Sequence, residues 1–342
     1  MSGNTNKQIS VLGAGSWGTA LAIQFARKGE PVLMWGRNPE HLEELKQTRS
    51  NQRYLPAAEF PPTLTVESDL AKAVNESTDL LLVVPSHAFR QLLTAIKPLL
   101  RKGQRISWAT KGFELDTGKL PHQVAAEVLG TDFPLAVLSG PTFAREVGAG
   151  LPTAMTVASA DQEFAHQLAE HISDDNFRAY TSSDVTGVEV GGAVKNVLAI
   201  GAGVSDGLGY GSNTRIALIT RGLVELGRLG HALGARPETF MGLAGMGDLV
   251  LTCTDNQSRN RRMGLALAAG KSSAEAAQEI GQVVEGVMAA RAVHQVSLQH
   301  QIEMPICEQV YRMLYQGATP ESAVKALMTR DLKSEDDSAT AE

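Results

Sequence analysis

Gly13-Ala-Gly15-Ser-Trp-Gly18 follows the apolar run Ile9-Ser-Val-Leu12 directly and leads into Thr19-Ala-Leu-Ala-Ile-Gln-Phe-Ala26. A strand, a glycine-rich turn and a helix therefore succeed one another, which is the context a dinucleotide site requires. In that reading Gly13 takes the tight turn and Gly15 lets backbone approach a pyrophosphate without a Cβ in the way. Gly18 lets the helix pack close to the sheet. The free N–H groups and the dipole at the helix start then favour the phosphates. The G-x-G-x-x-G spacing alone is weak, because glycine-rich turns are common; its place between a strand and a helix gives it weight.

Outward from this turn, short Val/Ile/Leu-rich runs alternate with helical patterns. The runs predict strands at 9–12, 31–35, 80–84, 105–109 and 135–138, with a weaker one at 153–158. They lack clean alternation, as strands buried on both faces do. Helices are predicted at 19–28, 39–48 and 88–99. This βαβ rhythm implies an α/β fold with a Rossmann-like, doubly wound parallel sheet. From about residue 184 strand signals vanish and helical periodicity takes over, with Leu218, Leu223, Leu226, Leu229 and Leu233 at helical spacing. Ser272-Ser-Ala-Glu275 reads as a capping box, Gly281 as a helix end, and Pro305 and Pro320 as first-turn prolines. The expected organisation is a nucleotide-binding domain at 1–184, an all-helical substrate and catalytic domain at 185–330, and a disordered acidic tail at 331–342.

A chain of 342 residues has ample core for two domains, and 43% hydrophobic with 20% charged residues reads as an ordinary soluble protein. A net charge of −6 argues against a nucleic-acid or anionic-membrane surface, though not against a local basic pocket. Crossing a bilayer takes about 18 consecutive apolar residues, and no run approaching this is expected here. The polar stretch Met1-Ser-Gly-Asn-Thr-Asn-Lys-Gln8 lacks a signal-peptide core. Cys253 and Cys307 lie far apart without metal spacing, so neither a metal site nor a disulfide framework is expected, and a cytoplasmic location fits.

The second strand ends Leu33-Met-Trp-Gly-Arg37-Asn-Pro39, where many dinucleotide sites place an acid against the ribose 2′-hydroxyl. Arg37 offers a fork of donors suited to a 2′-phosphate instead. NADP(H) is therefore favoured and NAD(H) possible; a solvated loop arginine is the plain alternative. Lys111 and the turn Ser139-Gly-Pro-Thr142-Phe-Ala144 follow predicted strands, at the edge where such sheets bind ligands. The turn is expected to leave the Thr142 hydroxyl free, and the bland alternative for Lys111 is a solvated loop lysine.

Lys195 is the sharpest single residue, because almost everything from Val188 to Gly203 is small or apolar. On a helix its neighbours one turn away are Gly191, Gly192, Leu198 and Ala199, a face expected to leave room for a ligand. Burial beside other cations would bring its ammonium into range for proton transfer. A snorkelling lysine is the competing reading. Gly245-Met-Gly-Asp248 reads as a second glycine-rich turn, with Asp248 able to orient a lysine ammonium or merely to cap a helix. Ser258-Arg-Asn-Arg-Arg262 reads as a helix start whose cap, N–H groups and Arg259 make an anion site, or as a solvated basic turn.

Taken together, the ordered motifs resemble the bacterial NAD(P)-dependent glycerol-3-phosphate dehydrogenases. They are Gly13-Ala-Gly-Ser-Trp-Gly18, Val84-Pro-Ser-His87, Thr110-Lys-Gly112, Ser139-Gly-Pro-Thr-Phe-Ala144, Gly191-Gly-Ala-Val-Lys-Asn196, Gly245-Met-Gly-Asp-Leu249 and Thr252-Cys-Thr-Asp-Asn-Gln-Ser-Arg-Asn-Arg-Arg262. The likeness spans nearly the whole chain except the tails; Trp17 stands where the family often has Tyr or Phe. The resemblance implies cofactor contacts from Ser16, Trp17, Arg37, Tyr54, Lys111, Ala144, Arg259, Val283 and Glu285. It implies substrate contacts from Lys111, Gly140, Thr142, Lys195, Asp248, Ser258, Arg259 and Asn260, with Lys195 as catalytic proton donor or acceptor. It also implies dihydroxyacetone phosphate and sn-glycerol 3-phosphate as substrates, supply of glycerophospholipid synthesis, and a homodimer. Two rival readings are a related dehydrogenase of a β-hydroxyacid or ketopantoate-like substrate, and a non-catalytic NAD(P)H-sensing module.

Overall fold

The computed structural model describes residues 8–332, 334 and 335; the expected tail lies outside them save Asp331, Leu332, Ser334 and Glu335. Among the described residues the chain forms ten strands. They are β1 (Ile9–Leu12), β2 (Val32–Trp35), β3 (Ser50–Asn51), β4 (Leu55–Glu59), β5 (Leu64–Glu67), β6 (Asp79–Leu82), β7 (Arg105–Trp108), β8 (Leu135–Ser139), β9 (Thr153–Ser159) and β10 (Phe177–Ser182). Eight of them make one sheet in the order β10-β9-β8-β7-β6-β1-β2-β5, and β3 pairs with β4 apart from it. The run from β5 to β8 is parallel; β9 is antiparallel to β8, and β10 runs with β9. The chain steps outward from β1 to β2 and β5, then crosses back to β6, so the order reverses at β1 and opens a crevice at the carboxyl ends there. The predicted doubly wound sheet is therefore present, enlarged by an antiparallel extension.

The chain packs as two units. The first takes the described residues through Lys111 together with 121–185; the second takes 112–120 and the described residues from Thr186 on. The expected single cut near residue 184 thus misses one excursion, because Phe113 and Leu120 are buried in the second unit's core. In the first unit Ile9, Val11, Phe25, Met34 and Leu81 are buried together in one core. The helix Ser16–Ala26 begins inside the glycine motif, three residues earlier than predicted, because Gly15 already has extended backbone at the cap and the Thr19 N–H already bonds the Gly15 carbonyl.

Among its described residues the second unit has helices joined by turns and irregular segments and no strand, packed around the helix Val185–Gly207. That helix corrects the expectation that no run is long and apolar enough to cross a membrane. It has 23 residues and a mean hydropathy of 1.2 over its most apolar window, all of it buried within the fold. The long helix and the helix Arg259–Ala268 cross closely through glycines: a Cβ on Gly203 would lie 2.0 Å from the Arg261 carbonyl oxygen, and one on Gly264 would lie 2.0 Å from that of Ile200. The capping box at Ser272 and Glu275 forms, Gly281 ends its helix, and Thr319 caps the helix that Pro320 opens.

One buried acid ties this unit together. Glu225, on the helix Ser212–Ala232, accepts the Ile306 N–H at 2.6 Å and the Cys307 N–H at 3.1 Å at the start of the helix Pro305–Tyr315. Burial pushes its carboxyl from 4.5 up to about 7, against the opposing pull of those two N–H bonds. An acid raised by folding adds stability that is complete below its unfolded pKa and is lost as pH rises through the folded one. Comparing wild type with Glu225→Gln by denaturant titration, the stability difference should therefore move against the wild type by about 3 kcal/mol between pH 4.5 and pH 8. A difference independent of pH would remove Glu225 as the titrating group.

Candidate active site

In the first unit the predicted cofactor residues gather at the carboxyl edge of the sheet. The register aligns Trp35, Leu12, Leu82, Trp108 and Val137 across β2, β1, β6, β7 and β8, so the segments that follow these strands emerge side by side. The three glycines prove to have different roles. Gly13 has φ +142°, and a Cβ there would lie 2.1 Å from the Val83 carbonyl oxygen; one on Gly18 would lie 1.8 Å from the Gly13 carbonyl oxygen. Both are required by the chain's own packing. A Cβ on Gly15 would meet nothing within 4 Å, so this is the glycine that faces open space at the uncapped helix start. A pyrophosphate fits there, against N–H groups with no intrahelical acceptor.

Ser16 and Tyr54 line a cleft of about 370 Å³ with residues 55–58 of β4 and Arg145. Arg145 is a cation that the sequence reading did not single out. Tyr54 is held edge-on against His41 with ring centroids 5.3 Å apart. The Trp17 indole packs against the core with its Nε1 buried and without an acceptor among the described residues. Arg37 is exposed beyond the end of β2. Lys111 is half-buried after β7, next to Thr110, whose hydroxyl donates to the Val84 carbonyl at 2.7 Å. Gly140 lies just past β8 and Ala144 opens the helix Ala144–Ala149. The Thr142 hydroxyl is not free as expected: it donates to the Gly140 carbonyl at 3.2 Å, which closes the turn on itself.

In the second unit Lys195 sits on the long helix with only 7% of its surface exposed. Its Nζ donates to Asp248 Oδ1 at 2.5 Å and to the Thr252 hydroxyl at 3.0 Å. That hydroxyl in turn donates to the Asp248 carbonyl at 2.6 Å. Asp248 is 1% exposed, so the two charges compensate one another out of water. On the face beside Lys195, Gly191 does not leave room for a ligand. A Cβ on Gly191 would lie 2.2 Å from the Ala244 carbonyl oxygen, so the glycine serves a close approach of the segment 243–247. That segment is also no open turn. It is a π-helical turn, Leu243–Gly247, running straight into the helix Asp248–Thr254. Asp248 and Thr252 consequently stand four residues apart on one helical face, which is what lets both reach one ammonium.

Ser258 caps the helix Arg259–Ala268 by accepting the Arg261 N–H. The N–H groups of Arg259 and Asn260 then head the helix without intrahelical acceptors, as at any helix start. Asn260 Nδ2 donates to Asn196 Oδ1 at 2.8 Å, while its Oδ1 accepts the Gly286 N–H at 2.8 Å. Asn196 also reaches Glu285 at 3.4 Å, and Arg259 reaches Gln282 at 3.4 Å. The stretch carrying Val283 and Glu285 is thereby tied to the anion-binding turn; Val283 itself is 53% exposed. Cys253 lies between these groups in sequence but does no ionic chemistry, because burial pushes its thiol up to about 12 against the pull of Lys195 and Arg261. Thr252 and Asn196 are contributors that residue-by-residue reading missed. The signals were Thr252 at i+4 from Asp248 and Asn196 beside Lys195.

Two family models cover these two regions. One described as NAD-dependent glycerol-3-phosphate dehydrogenase N-terminus matches residues 8–165, and one described as the C-terminus of the same enzyme matches residues 184–325. A glycerol-3-phosphate dehydrogenase [NAD(P)+] of Aeromonas hydrophila is 58% identical over 328 residues, covering 96% of this chain and 98% of the relative. A Vibrio vulnificus enzyme of the same name is 58% identical over 332 residues, covering 96% of each chain. The crystal structure of glycerol-3-phosphate dehydrogenase from Coxiella burnetii superposes with a TM-score of 0.92 at 50% identity, covering 95% of this chain and 100% of that one.

Proposed function

The chain belongs to the NAD-dependent glycerol-3-phosphate dehydrogenase family, and from that premise we propose that it reversibly reduces dihydroxyacetone phosphate to sn-glycerol 3-phosphate, with NADP(H) favoured over NAD(H). It is an NAD(P)-dependent oxidoreductase. When bound, the cofactor supplies or takes the hydride. Lys195 Nζ gives its proton to the forming alkoxide on reduction and takes it back on oxidation. Asp248 and Thr252 fix the direction of that ammonium. Arg259 and the helix start at 258–260 hold the substrate phosphate, which orients the carbonyl. We assign Lys111, Gly140 and Thr142 to the substrate as well, and Ser16, Trp17, Tyr54, Lys111, Ala144, Arg259, Val283 and Glu285 to the cofactor. The product feeds glycerophospholipid synthesis, the enzyme works in the cytoplasm, and its working form is a homodimer. The two cysteines, both free and buried, suit a reducing compartment.

The single observation that carries this reading is the hydrogen bond from Asn260 to Asn196. Asn196 adjoins Lys195 and Asn260 adjoins Arg259, so the proton carrier and the anion-binding turn are locked one bond apart. A β-hydroxyacid dehydrogenase has no use for the second half of that pair, and a cofactor sensor has no use for the first.

Steady-state kinetics test the reading and its cofactor preference together. Dihydroxyacetone phosphate should be turned over with NADPH, and a ketopantoate-like acid should not. In Arg37→Ala the KM for NADPH should rise about 10–150-fold while that for NADH stays nearly constant, since one charge-assisted contact to the 2′-phosphate is lost. Equal losses with both cofactors would remove Arg37 as the reader of that phosphate. Turnover of the acid alone would replace the whole assignment by the β-hydroxyacid reading.

A further inference from the structure

We propose that Arg261 is a positioning residue which, through Asn256 and Asp206, holds the phosphate-binding turn in register with the proton-moving cluster; this rests on the phosphate reading of 258–260. Arg261 lies two residues beyond Arg259 on the same helix, and its side chain is only 9% exposed. One arm of its guanidinium, Nη2, donates to Asp206 Oδ2 at 2.5 Å. The other, Nη1, donates to Asn256 Oδ1. Asp206 also takes Arg215 Nη1 on both carboxylate oxygens, at 3.1 and 3.0 Å.

These partners belong to three different segments. Asp206 is on the long helix Val185–Gly207, about three turns beyond Lys195 and Asn196. Asn256 is in the short link 255–258, which is fastened by Asp255 accepting the Gln257 N–H at 2.7 Å. Before that link comes the helix with Asp248 and Thr252; after it come Ser258, Arg259 and Asn260. Arg261 therefore clamps the long helix, the link and its own helix at one point. The flat fork is what allows it, since its two arms face different acceptors at fixed angles and a lysine ammonium has no such shape. Its charge is met by Asp206, so Arg261 acts through position and leaves the anion to Arg259.

The contact to Asn256 gives a clean test, because Asn256 is exposed and its loss leaves the core intact, whereas replacing Asp206 strands two guanidinium groups. Asn256→Ala, Arg259→Ala and wild type are assayed with dihydroxyacetone phosphate and, at high enzyme concentration, with unphosphorylated dihydroxyacetone. For Asn256→Ala we expect kcat/KM for the phosphorylated substrate to fall roughly 5–20-fold, shared between KM and kcat because the phosphate also orients the carbonyl. The unphosphorylated substrate, the KM for NADPH and the melting temperature should not change. Equal losses on both substrates, or no loss on either, would overturn the clamp. If Arg259→Ala hurts only the phosphorylated substrate while Asn256→Ala hurts neither, the clamp alone falls. If Arg259→Ala hurts both substrates equally, the phosphate reading falls and takes the clamp with it.

Discussion

Lys195→Ala should lower the turnover of dihydroxyacetone phosphate by about 10²–10⁴-fold, the usual cost of a lost general acid–base, while NADPH still binds. Binding should survive because the glycine cradle at 13–18 belongs to the first unit and Lys195 to the second. A confounding effect has to be separated. Asp248 is 1% exposed, and removing the ammonium takes away the cation it is paired with at 2.5 Å, a change that costs about 3–5 kcal/mol of stability for a buried pair. The single variant should therefore melt earlier as well as react slowly. The pair Lys195→Met with Asp248→Asn removes the charge from both sides and should recover much of the melting temperature. It should recover none of the rate. Cofactor fluorescence, thermal melts and kinetics on the three proteins separate the two effects. If the rate returns with the stability, Lys195 is a structural ion-pair partner and another group carries the proton.

That ambiguity between structure and chemistry also marks where the sequence was legible. The interior strands β1, β2, β6, β7 and β8 are legible because burial on both faces makes them rich in Val, Ile and Leu, whereas β9, with Thr153, Thr156 and Ser159 in it, gives the weaker signal. β3, β4, β5 and β10 went unread; the first two form a separate pair, and β5 and β10 are the two edges of the main sheet. An edge strand has one flank without a partner and more water around it. β10, Phe-Arg-Ala-Tyr-Thr-Ser, buries only its first residue and leaves Tyr180 49% exposed, so the periodic signal is absent. The anion turn at Ser258 and the cap at Thr319 were legible because capping chemistry is local. The role of the glycines at 191 and 203 was not. A glycine that faces a ligand and one that faces a carbonyl of another helix look the same in sequence, and only the packing of 243–247 and 259–268 decides between them. Thr252 was lost for a related reason: reading 245–248 as a loop broke the helical spacing that joins Asp248 to it.

Arg259→Ala should cost about 10²–10³-fold or more in kcat/KM for dihydroxyacetone phosphate. A guanidinium fork makes two charge-assisted bonds to a phosphate dianion, at about 1.5–3 kcal/mol each. The loss should fall on kcat as well as KM, because binding energy at the phosphate also orients the carbonyl at the reacting end. Arg259→Lys keeps the charge and loses the fork, so its defect should lie between wild type and alanine rather than at the wild-type level. The N–H groups heading the helix at 259 and 260, and the Ser258 cap, are unaffected by either change and set the residual affinity. Unphosphorylated dihydroxyacetone should be a very poor substrate of the wild type, and it should be nearly indifferent to both substitutions since it lacks the partner they remove. Two enzymes and two substrates then form a cycle whose coupling energy reports the contact itself, free of any general damage. Arg259 also touches Gln282 at 3.4 Å, so a purely structural role would loosen the stretch 282–286 and slow both substrates alike. Equal losses on the two substrates would thus transfer Arg259 from the phosphate to the scaffold, and the β-hydroxyacid reading would become the better account of the site.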